Sequence, residues 1–86
     1  MPNAEARAAY TEAQKILKLL HDVHEREAEL LHKFDLTTDK LEAHAIHAQI
    51  DVLRTEWTDL FNQYTDAIAQ YTVAVQKARE PRESFR

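Results

Sequence analysis

Four side chains that could bind a metal recur at helical spacing in this chain. They form two pairs three residues apart, His24 with Glu27 and His44 with His47. Imidazole nitrogens and carboxylate oxygens are ligands of zinc and other first-row metals, and residues at i and i+3 share one side of a helix. Neither pair has the Glu-x-x-His order of di-iron carboxylate bundles. We therefore predict no bound metal and no cofactor, and keep a metal- or small-ligand-binding helical bundle as the alternative function.

Glu27 is the one ionisable residue in the middle of the apolar stripe of the first helical segment. Burying an unpaired carboxylate is costly, so a partner is expected. If the chain folds back at about residue 36, the numbers of facing residues sum to roughly 72, which brings Glu27 beside His44 or His47. We predict a buried polar pair made by Glu27 and His47, with His24 one turn away, that fixes the register of the two helices.

Catalytic machinery is not indicated by the sequence. The chain has no glycine and no cysteine, so it has neither a glycine-rich phosphate loop nor a thiol nucleophile. Two long helices also offer little concave surface for a substrate. We predict that the protein is not an enzyme and has no catalytic residues.

A seven-residue repeat of apolar residues indicates the helices that carry these histidine and glutamate side chains. Apolar residues from Ile46 to Ala78 are spaced alternately four and three apart, which is the seam of a helix packed lengthwise against another helix. A second stripe runs from Ala6 to Phe34 and is widened by Tyr10, Leu17, His24 and Leu31. The fold class predicted from these stripes is all-α, an antiparallel helical hairpin of two long helices that dimerises into a four-helix bundle.

Capping residues give the bounds of the helices. Asn3 is a favourable N-cap for helix one, and Asp35 is the candidate for a left-handed residue at its end. Either Thr37 or Asp39 serves as the N-cap of helix two, and Pro81 is expected to end that helix. The predicted hairpin domain covers residues 1–80, with helix one at about 4–34, a turn at 35–38 and helix two at about 39–79, followed by a flexible tail at 81–86.

Charge and hydropathy exclude some classes of partner. The net charge is −4 with both signs interspersed, whereas binding to nucleic acid or to an anionic membrane surface requires a dense basic face. No long apolar run or signal-peptide layout is present, so we predict a cytoplasmic protein. The expected partners are the chain itself, as a homodimer, or another helical protein.

The unequal lengths of the helices predict where a partner binds. Folding back at residue 36 leaves about eleven residues of helix two, 69–79, without a facing helix. Large apolar residues of helix two are expected to form the association surface, because aromatic side chains often anchor interfaces. Thr58, Thr65 and Thr72 recur every seven residues and form either a second contact surface or a solvated one. The predicted interface residues are Trp57, Phe61, Tyr64, Ile68, Tyr71 and Val75.

Overall fold

A computed structural model describes residues 3–84, with side chains for residues 3–79. It contains two helices, α1 (Ala4–Leu36, 33 residues) and α2 (Lys40–Ser84, 45 residues). They run antiparallel, because Tyr10 contacts Tyr71 and Phe34 contacts His47. The molecule is a rod of 71 × 15 × 14 Å. The predicted all-α helical hairpin is confirmed.

Polar side chains cap the helices. The side chain of Asn3 accepts a hydrogen bond from the Ala6 amide at 2.7 Å, which confirms it as the N-cap of α1. Asp39 is the N-cap of α2, since its Oδ1 accepts from the Leu41 amide at 3.0 Å. The prediction that Asp35 is left-handed is wrong: no described residue has positive φ. Instead α1 continues to Leu36, and an extended Thr37 donates its amide to the Lys33 carbonyl.

The carboxyl end of α2 differs from the prediction. The helix continues through Pro81 to Ser84, so residues 81–84 of the predicted tail are helical. The φ of proline suits a helix, so Pro81 costs α2 one backbone hydrogen bond without requiring the helix to end before it. Residues 85–86 of that tail lie outside the described residues.

The core follows the predicted seam. Small residues predominate at the open end of the hairpin, where Ala6, Ala9, Ala67 and Ala74 are buried. Trp57 departs from the seam, since it is 41% exposed. The buried residues are Ala6, Ala9, Ala13, Ile16, Leu20 and Val23 of α1 with Ile46, Ile50, Leu53, Ala67 and Ala74 of α2.

The register of the two helices differs from the predicted sum of roughly 72. The pairs Tyr10–Tyr71 and Phe34–His47 each sum to 81, and an ion pair between Arg26 and Glu56 sums to 82. Facing residues that sum to 81 place Leu36, the last residue of α1, level with residue 45. Because α2 begins five residues earlier, at Lys40, it starts about 7 Å beyond the end of α1 along the hairpin axis. The extended Thr37 carries the chain outward before α2 turns back.

This register covers the stretch of α2 that was predicted to be bare. The Asn3 side chain donates from Nδ2 to the Ala74 carbonyl at 2.9 Å, so the start of α1 lies against Ala74. Ala74 is 2% exposed, and Tyr71 packs on Tyr10. The prediction that residues 69–79 lack a facing helix is wrong, because α1 reaches most of that stretch. α1 therefore covers most of the overhang from which the sequence predicts a partner.

Candidate interaction surface

The partner of Glu27 is an arginine and not a histidine. Arg54 donates from Nε to Glu27 Oε2 at 3.0 Å, and the Glu27 side chain keeps 23% of its exposure. The register explains this correction, because a sum of 81 places residue 54 opposite residue 27. The predicted buried polar pair of Glu27 with His47 and His24 is therefore wrong.

The histidines are spread along the hairpin surface. His24 and His47 are exposed, and His47 Nδ1 lies 3.4 Å from Asp51 on its own helix. Since residue 24 is level with residue 57, it lies about ten residues, or roughly 15 Å, from His47 along the axis. Among the side chains of residues 3–79, the only group of three potential ligands whose atoms lie close together is His21, Asp22 and Glu25, all of them exposed.

One side of the hairpin gathers large apolar side chains from both helices. In each heptad, the e position directly follows the second seam residue. When two helices pack antiparallel, the e positions of both helices lie on the same side of the pair. Three e positions of α1 and three of α2 are apolar, and the aromatic seam residues lean to this side. We call this surface the apolar face; it consists of Tyr10, Leu17, Leu31 and Phe34 of α1 with Trp57, Phe61, Tyr64, Ile68, Tyr71 and Val75 of α2.

The apolar face is substantially open to solvent. Seven of its side chains are between 38% and 45% exposed, and Tyr64, Tyr71 and Val75 are half-buried. Its aromatic rings contact one another: Trp57 stacks on Phe61 with centroids 5.1 Å apart and planes 9° apart. Tyr10 and Tyr71 join the two helices with centroids 5.9 Å apart. The structure thus places all six predicted interface residues on one surface.

The opposite side of the hairpin is polar. Its ion pair joins the two helices, with Arg26 Nη2 at 3.4 Å from Glu56 Oε2. Exposed large apolar residues on this side, Leu19, Val52 and Val73, occur singly. Because scattered apolar residues are normal on protein surfaces and contiguous patches are not, the two sides differ in kind.

A column of threonines borders the apolar face along α2. Each hydroxyl donates to the carbonyl four residues earlier at 3.0 Å: Thr58 to Arg54, Thr65 to Phe61 and Thr72 to Ile68. Because these donors are already paired within the helix, burying the threonines leaves no donor unsatisfied. The column therefore extends the surface that a partner can cover.

A cleft interrupts the apolar face where Glu27 meets Arg54. It has a volume of about 430 Å³ and is also lined by Val23, His24 and Trp57. Because an ion pair and the indole of Trp57 both line it, the cleft is suited to an amphipathic side chain of a partner.

Sequence reasoning missed the contribution of α1 to this surface. The sequence shows that Tyr10, Leu17 and Leu31 widen the stripe of helix one, but it does not show that Tyr10 and Leu17 lie level with Tyr71 and Tyr64. The e positions are apolar at Tyr10 and Leu17 of α1 and at Phe61, Ile68 and Val75 of α2, and these two runs come together once the register is known.

No protein-family model, curated protein or solved structure matches this chain. Within the described residues, neither helix has a stretch apolar enough to cross a membrane.

Proposed function

We propose that this protein is a small, cytoplasmic, non-enzymatic interaction module that works as an adaptor, regulator or assembly subunit. It acts by packing the apolar face against helices of another protein chain to form a helical bundle. The observation that carries the proposal is that seven large apolar side chains, each about two-fifths exposed, share one side of the hairpin.

The size of the apolar face supports a protein partner. A large apolar or aromatic residue has roughly 200 Å² of accessible surface, so these seven side chains expose on the order of 550 Å². The cleft at Glu27 and Arg54 separates Leu31 and Phe34 from the other five side chains, which together expose about 420 Å². A patch of this size lies within the range of the largest apolar patch on a typical monomer, about 300–600 Å², which is often functional. Stacked aromatic rings at its centre resemble the anchors that dominate interface energies.

The experiment is photocrosslinking in cells of the native host. Phe61, on the apolar face, is replaced by benzoylphenylalanine, and Gln63, on the polar side of the same helix, is replaced in a matched variant. We expect discrete protein adducts after irradiation from position 61 and none from position 63. Absence of adducts from position 61, or the same adducts from both positions, would refute the proposal.

A further inference from the structure

We propose that the apolar face is covered by a second copy of this chain, with α2 of one copy antiparallel to α2 of the other across a two-fold axis. The inference rests on the proposed function and names its partner. The assembly is a four-helix bundle in which α1 also lies over α1 of the second copy.

Charge complementarity selects this partner. The column that borders the apolar face on α2 has the order Asp51, Thr58, Thr65, Thr72, Arg79 at seven-residue spacing. Antiparallel pairing centred on Thr65 brings Asp51 of each copy to Arg79 of the other, at both ends of the contact. Parallel pairing would oppose like charges at the same two places. The charges of this column are therefore complementary to those of a second copy only when the two α2 helices run antiparallel.

Inside those charged ends, the α2 surface from Trp57 to Val75 is free of charge. From Trp57 to Val75, the apolar face of α2 and its threonine border contain only aromatic, aliphatic and threonine residues. The acidic residues of this stretch, Asp59 and Asp66, belong to the other side of the helix. Two copies therefore meet without repulsion, although each chain carries a net charge of −4.

An apolar residue of the first helix lies at the same level as Thr65. Because facing residues sum to 81 or 82, Leu17 of α1 is level with Thr65 of α2. A two-fold axis through this level places Leu17 against Leu17 of the second copy, and Tyr10 against His24. The centre of the α2 column and Leu17 of α1 therefore meet the same axis.

Two copies also provide enough area. The two copies overlap along residues 4–30 of α1, so Leu31 and Phe34 lie outside the contact. Covering the other five exposed side chains of the apolar face, about 420 Å² on each chain, buries about 850 Å², and the half-buried residues and threonine methyls bring the total to the lower end of the range of stable interfaces, about 1,200 Å². The single chain has an accessible surface of 6804 Å² for its 10.0 kDa. A compact monomer of this mass exposes about 5,200 Å², so the hairpin has surface to lose.

Sedimentation equilibrium gives the first test. Purified full-length chain is expected to have twice the 10.0 kDa mass at micromolar concentration. A mass of one chain at every concentration would overturn the proposal. If such a monomer still crosslinks through position 61 to another protein in cells, the homodimer fails while the interaction module stands.

Single cysteines test the direction of packing, since the chain has none of its own. A disulfide requires Cα atoms about 4.4–6.8 Å apart, so only facing positions form one. We expect Thr65→Cys to link to itself and a mixture of Thr58→Cys with Thr72→Cys to link to each other. Gln63→Cys is the control and should stay unlinked. Self-linking of Thr58→Cys that matches the mixture would show parallel packing and overturn the arrangement.

A charge exchange tests the same arrangement without a disulfide. Asp51→Arg puts like charges together at both ends of the antiparallel dimer and is expected to raise Kd about three- to tenfold. Adding Arg79→Asp should return Kd to the wild-type value. Failure of the double variant to recover would overturn the antiparallel contact, even if both variants dimerise.

Discussion

Leu17 and Leu19 are two residues apart on α1 and lie on opposite sides of the hairpin. Their exposures are nearly equal, at 44% and 48%. Leu17 belongs to the apolar face and Leu19 to the polar side. Replacing each leucine with alanine therefore makes the same chemical change on two different surfaces. Both substitutions remove a similar amount of burial within the hairpin. A difference between their effects on association therefore reports the burial of Leu17 by a partner.

The expected effect of Leu17→Ala follows from its exposed fraction. Fully burying a leucine contributes about 1.5–3 kcal/mol, so covering the remaining two-fifths contributes about 1 kcal/mol per chain. A symmetric dimer contains two copies of the residue and loses about 2 kcal/mol, which raises Kd about 30-fold. Leu19→Ala removes no contact with the second copy and should leave Kd within about twofold of wild type.

The assay is sedimentation equilibrium over a series of protein concentrations, with thermal unfolding followed by circular dichroism as a control. Both substitutions should lower the stability of the hairpin itself by similar amounts, because both side chains are about half-buried against their own chain. Equal weakening of association by the two variants, or a larger effect of Leu19→Ala, would refute the assignment of the apolar face.

Three further predictions concern the hairpin itself. Asn3→Ala should destabilise the fold by about 1–2 kcal/mol in chemical denaturation, whereas Asn3→Ser keeps a capping oxygen, loses only the bond to the Ala74 carbonyl and should cost less; equal losses would contradict this division. A double-mutant cycle on Glu27 and Arg54 should give a coupling of about 0.5–1 kcal/mol, and zero coupling would show that their 3.0 Å contact does not stabilise the fold. Added zinc should change the melting temperature of His47→Ala and wild type equally, because His24 and Glu27 lie far from His47 and the alternative metal site is not assembled; a shift lost in the variant would contradict this.

The seam and the amino-terminal cap were predictable because both are local. A four-and-three spacing identifies the buried stripe of each helix whatever lies opposite, and Asn3 caps α1 through the Ala6 amide three residues away. The register was not predictable in this way. A heptad stripe looks the same after a shift of about one heptad, and the difference between sums of roughly 72 and 81 is close to that shift.

The connection between the helices decides the register, and its geometry depends on single residues. Without glycine, α1 ends through an extended Thr37, and Asp39 then caps α2 beyond the end of α1. The incorrect pairing of Glu27 with His47 and the incorrect overhang of residues 69–79 both follow from this displacement of α2 beyond the end of α1. It moves Arg54 to Glu27 in place of a histidine, and it brings α1 over Ala74.

The same displacement builds the apolar face. With facing residues summing to roughly 72, the uncharged stretch of α2 from Trp57 to Val75 would extend past the start of α1 and leave one helix without a neighbour. At the observed sum of 81, that stretch is level with residues 6–24 of α1, where Tyr10 and Leu17 continue it across the hairpin. A two-helix surface centred on Leu17 and Thr65 can pack against a copy of itself, whereas a single overhanging helix could not present both columns at one axis. The turn that covers the end of α2 therefore also sets the geometry of the proposed dimer.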